Sequence, residues 1–284
     1  GVRDDMWAFT SRNPGLDLSA ATVFAAASRA LKGYNDDLSE RALRQSKRLL
    51  EEATALIADR PGDNRTWGGG PATPGATLEL FISTGEEQYR DKFLELLWPS
   101  LDRFVSFSLL TALDAIPYMD AAYREKLRPY VIKYREYIEK LESDNPYGVP
   151  IGLGNWAGAG EVLNFGTTVC FASKYFPDII EADHAFKTAN WLFGCHPYHN
   201  YSFVAAVGAA RPKAVFYGNN RADFSFIPGN VAPGVLFRKP DHFENYDDWP
   251  FLWGQNEGTI AGNTSYLIFG SAFRDLMNLI KPGD

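Results

Sequence analysis

Residues 20–58 read AATVFAAASRALKGYNDDLSERALRQSKRLLEEATALIA, and this stretch decides the fold class. Apolar side chains recur there at three- and four-residue spacing, which predicts one helix over residues 20–31 and a second over residues 36–58. Asp17 and Ser19 are the expected caps of the first helix, and Gly33 is expected to end it. The two segments therefore predict a helical hairpin with a short turn.

The same helical pattern continues through most of the chain. We expect further helices over residues 76–83, 88–97, 101–115, 121–141, 161–175, 179–193 and 258–280. No regular series of strand-like segments interrupts them, so the sequence predicts an all-α fold. Stacked helical hairpins form either a solenoid or a closed toroid, and the absence of a repeat of fixed length favours the toroid.

Charge and aromatic content narrow the range of partners. The chain has 28 Lys and Arg against 35 Asp and Glu, and the resulting net charge of −7 argues against nucleic acid. No apolar run approaches the roughly 20 residues that cross a bilayer, so we expect no membrane span. The 7 Trp, 14 Tyr and 20 Phe suit either an aromatic-rich core or a carbohydrate cleft, in which sugars lie flat on aromatic rings.

Cysteine and histidine offer little for metal chemistry. Cys170 and Cys195 lack metal-ligand spacing, although the two are able to form one disulfide bridge. His196 and His199 have no third ligand nearby in the sequence. We therefore expect neither a metal ion nor a cofactor.

The chemistry is expected in the irregular C-terminal third. Residues 194–250 are rich in Gly, Pro, Asn and aromatic residues, which is typical of a functional surface. The segment WGQNEG at residues 253–258 follows, at the expected start of the last helix. Glu257 is then either a general acid that protonates a glycosidic oxygen or a first-turn carboxylate that stabilises the helix dipole. Spacing alone favours the second interpretation.

Several segments, in order along the chain, resemble glycoside hydrolase family 9. They are NPGLDLSAA and AAASR at residues 13–21 and 25–29, residues 152–164 with Trp156, Leu163 and Asn164, WLFGCHP and SFV at residues 191–197 and 202–204, PGVL at residues 233–236, and Asn256-Glu257. The resemblance implies an (α/α)6 toroid with an open cleft lined by aromatic side chains. It also implies inverting hydrolysis of β-1,4-linked glucans, with Glu257 as the general acid.

The resemblance further implies that the catalytic base lies outside this chain. The family carries its base in an Asp-Ala-Gly-Asp motif upstream of the segment at residues 13–21, and the sequence contains no such motif. We therefore expect residues 1–284 to form a single, partial catalytic domain, the C-terminal two-thirds of the whole, without its first helix pairs. Its partner is then the N-terminal part of the same protein, and the chain alone is expected to be inactive. A polysaccharide hydrolase of this kind is expected to be secreted or periplasmic.

Two departures from the family pattern bear on substrate choice. Residues 216–221 read FYGNNR, with amides where the family has two histidines before the arginine. Gly262 stands where the family has an aromatic residue before the asparagine that matches Asn263. The changes indicate a β-1,4-linked glucan other than plain cellulose, or a related plant polysaccharide.

The expected substrate contacts are amide, guanidinium and indole groups close to these segments. They are Arg221, Asn220 and Asn256 for sugar hydroxyls, and Trp67, Trp156, Trp249 and Trp253 as sugar platforms. A structural ion pair competes with this role for the arginine, and burial in the core competes with it for each tryptophan.

Two other functions remain open from the sequence. One is a glycan-binding or structural module that kept the fold without its base. The other is a polysaccharide lyase on an (α/α) toroid, for which Tyr217 with Arg221 is a faint match.

Overall fold

The structure is a computed structural model that describes residues 12–59, 74–151, 158–195, 200–208, 227–234 and 258–280. Its contacts divide the chain into two compact units, Gly1–Tyr118 and Met119–Asp284. Each unit is described by itself below. The expectation of a single domain over residues 1–284 stays a prediction.

The described part of the first unit consists of helices. They are α1 (Pro14–Leu31), α2 (Asp36–Ala58), α3 (Gly75–Thr84), α4 (Glu87–Arg103) and α5 (Val105–Ala115), followed by a 3-10 turn at Ile116–Tyr118. The predicted hairpin is therefore confirmed, and α2 has the predicted bounds. Gly33, in the turn, has a φ of 84°, which a glycine adopts without strain.

The start of α1 was predicted wrongly. Asn13, rather than Asp17 or Ser19, caps the helix, and its side-chain oxygen accepts hydrogen bonds from the amides of Gly15 and Leu16. Pro14 suits the first helical position because its ring fixes φ and it has no amide hydrogen to satisfy. The helix therefore begins six residues before the predicted position, and Asp17 instead forms an ion pair with Arg12.

Helix α1 packs on α2 and α3 through small side chains. Leu18, Ala21, Leu49, Ala53 and Ala76 form one buried cluster of the unit. Such small residues let the helix axes approach closely.

Polar groups fasten α1 to its two neighbours. The Ser46 hydroxyl on α2 donates to the Ala21 carbonyl across 2.7 Å, and Arg29 on α1 binds Ser83 and the carboxylate of Glu79 on α3. The segment at residues 25–29 is thus a helix-packing element.

Helices α4 and α5 meet at a different point from the predicted one. Helix α4 continues past Leu97, through Pro99, to Arg103. The chain breaks instead at Phe104, whose φ of −143° and ψ of 68° are not helical. Tertiary packing keeps the extra turn despite the proline, because Leu97, Ser100 and Leu101 are all buried.

The described part of the second unit contains four further helices. They are α6 (Ala121–Ser143), α7 (Ala159–Tyr175), α8 (Asp183–Leu192) and α9 (Ile260–Ile280). One isolated antiparallel bridge, Val204 to Val231, is the nearest approach to a sheet in the described residues. The predicted all-α class is confirmed.

Helix α7 is the centre of this unit. It packs against α8 and α9, and Tyr134 on α6 donates a hydrogen bond to the Phe165 carbonyl of α7. At Gly166 an added Cβ would lie 2.6 Å from Thr188 Cγ2 on α8 and 2.8 Å from Phe269 Cε2 on α9. The absence of a side chain at Gly166 is what allows three helices to meet there.

A buried carboxylate joins α6 to α8. Glu142 is 7% exposed, and its two oxygens lie 2.8 Å from His184 Nδ1 and 2.6 Å from Lys187 Nζ. Helix α8 begins at Asp183 rather than residue 179, because Ile179 and Ile180 bond back to the Phe176 carbonyl in a turn.

Three general findings concern the described residues alone. Cys170 and Cys195 are free thiols, so the open question of a bridge is answered against it. Burial raises the pKa of the Cys170 thiol to about 12, which keeps it protonated and unreactive.

No described helix has the length and apolar character needed to span a membrane, and no described group of His, Cys, Asp or Glu is suited to a metal ion.

Candidate active site

The predicted catalytic and substrate-binding residues lie outside the described residues, and their roles stay predictions. They are Glu257, Arg221, Asn220, Asn256, Trp253, Trp249, Trp156 and Trp67. The described residues that flank these segments nevertheless define the frame on which the candidate site is built.

The frame begins with two short segments that pair with each other, residues 200–208 and 227–234. The amide of Ala232 donates to the Phe203 carbonyl across 2.8 Å, and that of Ala205 donates to the Asn230 carbonyl across 2.9 Å. Ser202, Val204 and Val231 are at most 2% exposed. These backbones are therefore satisfied internally and fixed in register.

The described residues of the segment 191–204, which resembles glycoside hydrolase family 9, are held to this frame by a close turn. The Phe203 amide donates to the Leu192 carbonyl at the end of α8. Gly194 has a φ of 101°, and a Cβ there would lie 2.9 Å from backbone atoms of Asn200, Tyr201 and Ser202. A glycine is required at residue 194 because both the conformation and the space exclude a side chain.

Helix α9 meets the same frame at its first turn. The Thr259 hydroxyl accepts a hydrogen bond from the Gly262 amide across 3.0 Å, which is the pattern of an N-cap. The helix starts at Ile260, two residues later than predicted. The helix thus begins three residues after Glu257, which itself lies outside the described residues, and both interpretations of its role stay open.

One asparagine ties α9 to the segment 227–234. The Asn263 side chain accepts from the Val231 amide and donates to Asn230 Oδ1, each across 2.8 Å. Asn230 is 2% exposed and lies against Gly258, the residue that follows Glu257.

The N-terminus of α7 completes the frame. The Ala159 amide donates to the Pro233 carbonyl across 2.7 Å. Gly158, with a φ of 62°, lies just before the helix and two residues after Trp156. The segments that flank Trp156, Glu257 and residues 233–236 are thus hydrogen-bonded to one another.

Three of the four segments of the frame are uncharged, and the fourth, the N-terminus of α7, carries Glu161. Residues 200–208, 227–234 and 258–263 contain no Asp, Glu, Lys, Arg or His. These three segments therefore contribute no charge of their own to the candidate site.

Comparison with known sequences gives the family. The profile of glycosyl hydrolase family 9 matches residues 4–269. The chain belongs to this family. A search of curated proteins found no match.

Solved structures share the fold. A metagenome-derived family 9 endoglucanase is 21% identical, with a TM-score of 0.66 over 90% of this chain and 51% of its own. A family 9 protein of Bacteroides ovatus is 18% identical, with a TM-score of 0.67 over 92% and 53%. An endoglucanase of the termite Nasutitermes takasagoensis is 16% identical, with a TM-score of 0.70 over 94% and 66%.

These likenesses establish the fold class. They confirm the predicted (α/α)6 type of all-α fold, of which the chain carries a part. The chain spans about half the length of the first two of these structures.

Two long-range contacts escaped the sequence analysis, one within the frame and one between α6 and α8. The turn signal Pro228-Gly229 indicates a bend before Asn230, but no sequence pattern reveals that Asn230 bonds a residue 33 positions away. Likewise, nothing in the sequence pairs Glu142 with residues of α8.

Proposed function

We propose that this chain is the acid-bearing part of an inverting glycoside hydrolase that cleaves β-1,4-linked glucan or a related plant polysaccharide. The observation that carries the proposal is the convergence, on one hydrogen-bonded frame, of the segments beside Trp156, Glu257 and residues 233–236. Family membership and the endoglucanase names of two structural relatives support the substrate class.

In the proposed mechanism, Glu257 enters the reaction protonated. It donates its proton to the glycosidic oxygen as the C–O bond breaks, which removes the need to expel an alkoxide. A carboxylate across the cleft, at roughly 6.5–9.5 Å, takes a proton from the attacking water and so gives the inverted product. We place that base outside this chain, in the N-terminal part of the same protein.

The binding residues follow from their chemistry. Arg221, Asn220 and Asn256 bond sugar hydroxyls, and the tryptophans at 67, 156, 249 and 253 offer stacking faces to sugar rings. Since the substrate is a polymer, we also propose that the protein acts outside the cytoplasm.

Gly262 is the proposed source of altered substrate choice. Among the described residues, an added Cβ here would meet Thr259 Oγ1 alone, at 3.2 Å, so a small shift of that side chain would make room for a larger residue. The space that a ring would fill is then available to a substituent on the sugar chain.

Glu257→Gln in the full-length protein tests the function. We expect reducing-sugar release from β-1,4-glucan to fall at least about 10²-fold, the usual contribution of general acid catalysis, while calorimetric binding of oligosaccharide is retained. Unchanged turnover would refute the acid role. Binding without any product from the unaltered protein would instead favour a glycan-binding module.

A further inference from the structure

Asn263 uses both ends of its amide to connect two segments. It lies in the first turn of α9, where its Oδ1 accepts from the Val231 amide and its Nδ2 donates to Asn230 Oδ1. Both distances are 2.8 Å, and each bond crosses more than 30 residues of sequence. The start of α9 is therefore fixed relative to residues 227–234.

Asn230 connects Asn263 to Gly258, the residue beside the proposed acid Glu257. Its carbonyl accepts from the Ala205 amide, so its backbone is fixed independently of Asn263. A Cβ built on Gly258 would lie 2.4 Å from Asn230 Nδ2, 2.6 Å from Oδ1 and 2.9 Å from Cγ. The backbone of Gly258 thus rests directly on the Asn230 side chain.

We infer that Asn263 is a positioning residue for Glu257, acting through Asn230 and Gly258. Gly258 is covalently joined to Glu257, so a shift of Gly258 moves the point at which the Glu257 backbone is attached. An amide does not donate a proton to a leaving group at neutral pH, so Asn263 influences the reaction through geometry alone. The inference rests on the proposed function of Glu257.

The effect of a positioning residue depends on the leaving group. Cleavage of a natural glucan needs a proton at the glycosidic oxygen, whereas release of dinitrophenolate from an aryl β-cellooligosaccharide does not. Displacing the acid therefore slows the first reaction more than the second. Partial unfolding lowers both reactions equally, so the ratio of the two rates is independent of the amount of folded protein.

The test compares Asn263→Ala with Thr264→Ala in the full-length protein. Thr264 is the next residue on α9, is exposed and bonds only the Ile260 carbonyl among the described contacts, so it is the matched control. We expect N263A to lower the ratio of kcat on glucan to kcat on the aryl substrate by about 10- to 100-fold, the cost of a misplaced group. T264A should leave the ratio unchanged.

Gly258→Ala provides a second variant in case N263A folds poorly, since it pushes against Asn230 from the other side. Equal losses on both substrates in N263A and G258A would overturn the inference. Glu257→Gln is the reference: if it also lowers both rates equally, the proposed function fails, whereas a selective loss in E257Q alone rejects only the role of Asn263.

Discussion

Gly194 shows how a single residue fixes the frame of the candidate site. Its φ of 101° and the three backbone atoms 2.9 Å from its Cβ position combine two separate restrictions. Gly229 shares the positive φ, at 82°, but no described atom lies within 4 Å of the same position. Substitutions at Gly194 and Gly229 therefore distinguish the effect of backbone strain from that of steric exclusion.

Gly194→Ala is expected to lower the free energy of unfolding by about 3 kcal/mol, because strain and overpacking each contribute of the order of 1–3 kcal/mol. Gly229→Ala, the control, should lose about 1 kcal/mol from strain alone. Chemical denaturation measures both changes. Equal losses in the two variants would show that the contact with residues 200–202 has no steric importance.

At the scale of the helix, α7 depends on a close approach to its neighbours. Gly166→Ala is expected to destabilise the protein by about 2 kcal/mol, because the new Cβ would meet Thr188 and Phe269, which belong to two different helices. Gly160→Ala in the same helix, where the Cβ position is open, should cause no loss. Thermal melting of the two variants is the measurement, and equal melting temperatures would contradict the packing described here.

The link between α6 and α8 makes a second prediction at this scale. Glu142→Gln should cost about 1.5–3 kcal/mol, since it removes the buried charge that accepts hydrogen bonds from Lys187 and His184. Glu139→Gln, one turn earlier on α6 and half-exposed, is expected to change stability by less than about 0.5 kcal/mol. Urea unfolding compares the two, and a loss in E139Q as large as that in E142Q would disprove the role of burial.

At the scale of the whole molecule, one carboxyl group makes stability depend on pH. Loss of hydration against the surrounding chain, together with the nearby charge of Glu79, raises the pKa of Asp114 on α5 to about 6, although the residue stays exposed to solvent. The unfolded chain releases this proton near pH 4 and the folded chain near pH 6, so stability falls as pH rises between these values. Below pH 4 both states are protonated and the effect vanishes.

Asp114→Asn should therefore stabilise the protein at pH 7 and leave its stability unchanged at pH 3.5. Asp114 is exposed to solvent, so screening makes the gain much smaller than full burial would give. Denaturant unfolding at several pH values checks this, and parallel pH profiles for D114N and the unaltered protein would contradict it.

The sequence predicted the helices better than the frame between them. Periodicity located α2 to the residue, because its apolar face has regular partners. It missed the cap at Asn13, because several residues nearby are also able to cap a helix, and it ended α4 too early, at Leu97. The sequence did not predict the hydrogen bond between Asn263 and Asn230 or the contacts of Glu142 with His184 and Lys187. Long-range polar pairs of this kind leave no periodic signal.

The central claim, that Glu257 is the general acid, is tested most directly by a pH profile. A bell-shaped dependence of kcat/KM on glucan is expected for the full-length protein, with the alkaline limb caused by deprotonation of the acid. Glu257→Gln, assayed for its residual activity on the same glucan, should keep the acidic limb and lose the alkaline one. An alkaline limb that persists in E257Q would contradict the account.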